Sequence, residues 1–127
     1  MTHNEISGII VDTALHIQQK LGPGLLESVY SRVLAHELRK RGLRVEVEVA
    51  VPVVWDDMVL DSAFRADLIV KGMVLVELKS VEQNSPVHRK QLLTYLKLAD
   101  KRLGLVVNFG LEQLKAGVFR LVNGLEE

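Results

Sequence analysis

Cysteine is absent from the 127 residues. That excludes a disulfide scaffold, a thiolate metal site and a thiol nucleophile. Net charge is absent too, because sixteen Lys and Arg balance sixteen Asp and Glu. Such a chain does not advertise itself as a whole to polyanions, although a neutral total can hold a local basic patch. No apolar run approaches the roughly 20 residues that a membrane span needs. The opening segment Met1-Thr2-His3-Asn4-Glu5 has neither a basic n-region nor an apolar h-region, so the cytoplasm is the expected compartment. Internal repeats, low-complexity tracts and linkers are missing as well. What remains is 48% hydrophobic and 25% charged, an ordinary globular balance. The length predicts one domain over residues 1–127 with a single core.

Apolar periodicity divides the chain. Ile6, Ile10, Ala14, Ile17 and Leu21 predict a helix from about Asn4, its N-cap, to Leu21. Gly22-Pro23-Gly24 stops it and starts a second helix over about 25–41, with Leu26, Val29, Val33, Leu34 and Leu38 on one side. Gly42 stands where a C′ glycine belongs, after the basic last turn Arg39-Lys40-Arg41. The period then becomes two, with Val45, Val47, Val49, Val51 and Val53 alternating with other residues, which predicts a half-buried strand. Asp56-Asp57 reads as a turn and 58–70 as the returning strand, bulged near Ser62-Ala63. Ser85-Pro86 pairs an N-cap with Pro at the first helical position, opening a helix to about Asp100. A buried strand over 103–109, one helical turn at 111–114 and a last strand over 117–122 complete the order α-α-β-β-β-α-β-β. That is a mixed α/β layered fold, with a mixed central sheet flanked by helices.

The stretch from Arg65 to Ser80 organises the rest. It reads as two apolar strands joined at Lys71-Gly72, carrying Asp67, Glu77 and Lys79. Alternation puts Glu77 and Lys79 on one face and Val74, Val76 and Leu78 on the other. Carboxylates and an ammonium on a rigid sheet face are costly to dehydrate unless paired, and a divalent metal would pair them. Asp67 shares the face of Glu77 only if the loop is odd in length or a bulge intervenes, which predicts one of these here. Solvated alternating charge would give the same pattern.

Other polar residues bear on the same region. Glu27 and Tyr30 are three apart on the second helix, hence on one face. His88, Gln91 and Tyr95 form a stripe opposite Leu92, Leu96 and Ala99. Arg65 shares the face of Asp67 by alternation and could reach a phosphate. Each also has an ordinary reading: Glu27 favouring a positive helix end, Gln91 and Tyr95 at a wet rim, His88 on the surface, Arg39-Lys40-Arg41 as a solvated helix end. His3, His16 and His36 show no metal-ligand spacing.

Taken in order, these segments resemble the GxxExxY family of the PD-(D/E)XK nuclease superfamily. The resemblance rests on Gly24-Leu25-Leu26-Glu27-Ser28-Val29-Tyr30, Phe64-Arg65-Ala66-Asp67 and Val76-Glu77-Leu78-Lys79. It extends through Pro86-Val87-His88, Gln91-Leu92-Leu93-x-Tyr95-Leu96 and Val107-Asn108-Phe109-Gly110. It implies a restriction-endonuclease-like core in which Asp67 and Glu77 are the acidic pair and Lys79 the lysine of the motif. Glu27 is similar to the helix-borne glutamate that joins the metal site in many members. Gln91 and Tyr95 resemble the glutamine-tyrosine helix motif of RecB-type nucleases. Ala66 stands where the superfamily name has proline, which matters little because the carboxylate is the ligand.

The expectation is therefore a magnesium-dependent phosphodiesterase acting on DNA, with manganese as substitute and RNA as alternative substrate. Asp67, Glu77, Glu27 and the Leu78 carbonyl would hold the metal. Lys79, Gln91 and Tyr95 would complete the catalytic set, with Arg65, Tyr30 and His88 against the substrate. The rival expectations are a non-catalytic nucleic-acid- or protein-binding module, and a subunit that acts as a homodimer or with a partner protein.

Overall fold

Thr2 starts the first helix. Its hydroxyl accepts the Glu5 N–H while the Glu5 carboxylate accepts the Thr2 N–H, a reciprocal cap on α1 (His3–Leu21). Asn4, expected as the cap, instead lies in the first turn and accepts a hydrogen bond from Arg120. The computed structural model describes residues 1–126. Gly22, at φ +75°, ends α1, and α2 (Glu27–Lys40) begins two residues later than expected, with Leu26 as N-cap. It buries Tyr30, Leu34, Ala35 and Leu38, whereas Leu26 and Val29 face solvent. The expected stripe is rotated because the Tyr30 ring takes the inward position, stacked on Phe109 with centroids 4.2 Å apart.

Five strands form one sheet in the order β1 (Val45–Trp55), β2 (Met58–Val70), β3 (Val74–Lys79), β4 (Leu103–Asn108), β5 (Val118–Val122). Only β3 and β4 run parallel, joined by the crossover helix α3 (Pro86–Ala99). Ser85 caps α3 and Pro86 occupies its first turn, as expected. A 3-10 turn covers Leu114–Gly117 rather than 111–114. There the buried Gln18 side chain accepts the Leu114 N–H at 2.7 Å and donates to the Leu111 carbonyl at 2.8 Å, so backbone bonds to α1 fix where the turn forms.

Helices cover both faces of the sheet. Against α1 and α2 lie Leu68, Val70, Val74, Val76, Leu78, Leu103, Leu105 and Val107. Against α3 lie Ala66, Ile69, Leu75 and Val106, with Leu92 and Leu96 from the helix. Gly104 lets α3 approach closely, since a Cβ there would meet the Leu92 side chain at 2.9 Å. β3 is covered on both sides and therefore reads as a continuous apolar run broken by one acid, Glu77.

The β2–β3 connection has the odd length expected: Val70 pairs with Val74 across Lys71, Gly72 and Met73. Lys71 and Gly72 both take positive φ, at +53° and +66°. The bulge expected near Ser62-Ala63 is also present. Val51 pairs with Phe64 but Val53 with Leu60, leaving three β2 residues against one on β1. A second irregularity has no register shift. Phe64 and Ala66 face α3, Leu68 and Val70 face α1 and α2, so the alternation of β2 reverses at Asp67. Opposite it Glu48 sits at φ +49°, and the two residues are missing from an otherwise continuous pairing.

Candidate active site

Backbone pairing between β2 and β3 stops at Leu68 and Val76. At the next step the two strands are joined by carboxylates. Asp67 Oδ2 accepts the Leu78 N–H at 2.7 Å, and Glu77 Oε1 accepts the Asp67 N–H at 3.4 Å. Side-chain acceptors have replaced carbonyls in the ladder, so both acids are held by the backbone of the opposing strand. Glu77 is 7% exposed. Burial, the Asp67 charge and the contact between the two carboxyls push the Glu77 carboxyl up to about 8, against the opposing pull of the Asp67 N–H and of Lys79. Lys79 follows on the same face of β3, half-buried beside its β4 register partner Asn108.

Helix α3 supplies the opposite wall. Burial and then the charges of Glu77 and Asp67 raise the Tyr95 hydroxyl, which places the phenol within the field of both acids. Its ring lies on Phe64, centroids 3.9 Å apart and planes 10° apart. Gln91, one helical turn earlier, is exposed. His88 is lowered by burial and by Lys79, with Glu27 pulling the other way, so these three groups share one neighbourhood. Glu27 itself is exposed at the rim of a cleft of about 440 Å³, lined also by Leu25, Leu26, Ser28 and Ser80. The Ser80 hydroxyl donates to the Leu25 carbonyl and ties this rim to the end of β3.

Asp67, Glu77, Lys79, Tyr95, His88 and Glu27 thus gather about one end of the sheet, while Gln91 is placed only by its exposed position one turn before Tyr95. Two expected substrate residues do not gather there. Tyr30 is fully buried, and its hydroxyl donates to the Gly22 carbonyl at 2.6 Å while accepting the Leu25 N–H at 3.1 Å. It shapes the Gly22–Leu26 loop from inside. Arg65 projects to the other face of the sheet, because alternation reverses at Asp67, and it pairs there with Glu48 at 3.9 Å.

Asn108 was legible only as part of a motif. It is fully buried at the end of β4, where its Oδ1 accepts the N–H groups of Val81 and Gly110 at 3.1 and 2.9 Å. Its Nδ2 donates to Asn84 Oδ1 at 3.1 Å, so one side chain fixes the segment between Lys79 and α3. The signal is a lone amide closing an apolar run, since a buried polar group demands partners. Phe64 gave no signal beyond its place before Arg65.

Among the described residues no group of three His, Cys, Asp or Glu is gathered tightly enough to hold a metal ion. The Asp67 and Glu77 pair nevertheless fits a hard divalent cation: both donors are carboxylates, and one is held protonated above its ordinary range by burial and by the charge of the other, both of which a bound cation would offset. Glu27 stands apart from this pair as an oxygen donor at the rim.

No curated protein and no solved structure matches the chain. A family model described as the PD-(D/E)XK nuclease superfamily matches residues 4–121. That range spans everything from the first turn of α1 into β5, with the acid pair and the lysine near its centre. With mixed sheet, element order and acidic hairpin in agreement with it, the chain belongs to the PD-(D/E)XK nuclease superfamily.

Proposed function

We propose that this protein is a metal-dependent phosphodiesterase that hydrolyses the DNA backbone, and that it belongs to the GxxExxY branch of its superfamily. The observation that supports this most is the convergence of Asp67 and Glu77 on a shared backbone edge, with Lys79 following Glu77 and Tyr95 in the field of both acids. Nucleases of this superfamily generally use divalent metal ions, and magnesium suits an all-oxygen donor set that leaves room for water and phosphate. Asp67 and Glu77 would hold the ion, with Glu27 and the Leu78 carbonyl as further oxygens. When bound, it supplies Lewis acidity toward the phosphoryl oxygen and a more acidic water.

The chain's own groups do the rest. Lys79 places a fixed cation where negative charge grows on the phosphorus, the position at which a preorganised charge lowers the barrier most. Tyr95, held flat by Phe64, presents its hydroxyl toward the phosphate or the attacking water, and Gln91 does the same from one turn away. His88 contacts the substrate beyond them. In the absence of cation the protonated Glu77 limits the negative charge of the cleft, which eases approach of a polyanion.

A second reading is a nucleic-acid- or protein-binding module that retains the fold, and the exposed position of Glu27 outside any three-residue cluster favours it. Incubating the protein with single-stranded, duplex and branched DNA, and with RNA, in magnesium, manganese or chelator separates the two. Metal-dependent cleavage lost in Glu77→Ala and Lys79→Ala is expected. Cleavage persisting in both variants defeats the assignment, and binding without cleavage in any metal selects the module.

A further inference from the structure

The β1–β2 ribbon runs on past the rest of the sheet. β2 leaves β3 at Leu68, yet pairs with β1 as far as Trp55 and Met58, on either side of the Asp56-Asp57 turn. Val53, Trp55, Met58 and Leu60 share one face of this arm by cross-strand pairing and alternation. Trp55 is 69% exposed, and Val54, Met58, Val59 and Leu60 are each at least half exposed. A two-stranded ribbon is marginal alone in water, and an apolar patch of this kind marks a surface that another molecule covers.

Charge identifies what covers it. Beyond the Val51–Phe64 pair, residues 52–63 of the ribbon hold Asp56, Asp57 and Asp61 and no Lys, Arg or His. All sixteen basic residues lie elsewhere, with the other thirteen acids, so a neutral protein divides into an arm of −3 and a body of +3. An acidic arm repels a nucleic-acid backbone and repels another arm. It is complementary to the body of a second copy. That body offers a groove of about 170 Å³ between α1 and α2, lined by His16, Ile17, Lys20, Leu21, Val33 and Glu37. Engineered apolar cavities of about 150 Å³ accept one benzene-sized ring. Leu21 in the groove lining is itself exposed.

We infer that two copies of this chain associate reciprocally, the Trp55 arm of each seated in the α1–α2 groove of the other beside Lys20. Exchange of two arms closes a two-fold and doubles the buried area. The total then moves toward the roughly 1,200 Å² at which specific interfaces begin.

Sedimentation of the full chain tests this without reference to metal or activity. Wild type is expected at twice the monomer mass at about 100 µM, a concentration that detects even weak association. Trp55→Asp and Lys20→Glu should each weaken association by about 30-fold or more, as loss of a central anchor does, with the melting temperature unchanged at a dilution where wild type and variants are all monomeric. Carbodiimide coupling in a mixture of light and heavy-isotope copies should join Asp56 or Asp57 of one copy to Lys20 of the other. A wild-type monomer at that concentration overturns the inference, whether or not a foreign protein binds the arm. So does a dimer that survives both substitutions, or inter-copy coupling that leaves Lys20 out.

Discussion

Asp67 and Glu77 face each other where the β2–β3 ladder ends, and the Asp67 N–H reaches Glu77 Oε1 rather than a carbonyl. That N–H favours the charged carboxylate, but burial and the Asp67 charge outweigh it, so Glu77 carries a proton up to about pH 8 in the metal-free protein. Between the ordinary glutamate range and that value, the folded state binds more protons than the unfolded one, so stability falls as pH rises. Metal-free wild type should lose up to a few kcal/mol between pH 5 and 8. Glu77→Gln should flatten the curve and raise the melting temperature at pH 8. Denaturant titrations at several pH values measure both effects.

Metal addition should act on the same proton. Binding a divalent ion at pH 7 is expected to release about one proton per ion. Calorimetry in buffers of different ionisation enthalpy reads that release. Glu77→Gln should abolish it, and a chelator should reverse the accompanying rise in melting temperature.

Asp67→Ala separates structural from chemical roles less cleanly. Loss of Oδ2 leaves the Leu78 N–H without its acceptor, a cost of about 1–3 kcal/mol. Activity should vanish with it, whereas Glu77→Gln should remove activity from a protein as stable as wild type or more so.

The two tyrosines should behave oppositely. Tyr30→Phe removes the hydroxyl that joins Gly22 to Leu25, costing about 1–2 kcal/mol with cleavage retained once folded. Tyr95→Phe keeps the ring on Phe64 and should leave the melting temperature alone while lowering turnover by about 100-fold. Parallel thermal melts and cleavage assays distinguish them.

Gly110→Ala should be among the most damaging single changes outside the acids. A Cβ there would stand 2.3 Å from the Val81 carbonyl oxygen, a backbone atom that cannot swing away. A loss of about 4 kcal/mol or more is expected, readable by chemical denaturation.

Much of this fold was legible because its periods change sharply. The helical period of α2 gives way to alternation at Gly42-Leu43, and the buried run of β4 stands out by its near lack of polar residues. Strand parity stated the condition for Asp67 and Glu77 to share a face, an odd loop or a bulge, and the three-residue connection meets it. Three failures have separate causes. Spacing says which residues share a face but not which face turns inward, so Tyr30 was placed with Glu27 rather than against Phe109. Alternation assumes a regular strand, so the reversal at Asp67 misplaced Arg65. The cap at Thr2 was overlooked because Asn4 belongs to the same class of cap residues and the boundary lies only two positions away. Asn108 reaches Val81 and Asn84, and Phe64 reaches Tyr95, across more than twenty residues, and no local pattern says which distant partner each will meet.

The three-residue connection between β2 and β3 makes this stretch intolerant of length change. Surface loops commonly absorb an inserted or deleted residue, but one step here would shift the phase of β3 against β2. Glu77 would then rotate among the helices of the far layer while Leu78 emerged beside Asp67. The reading frame of that hairpin, more than any single side chain, determines whether the molecule has an acidic centre at all.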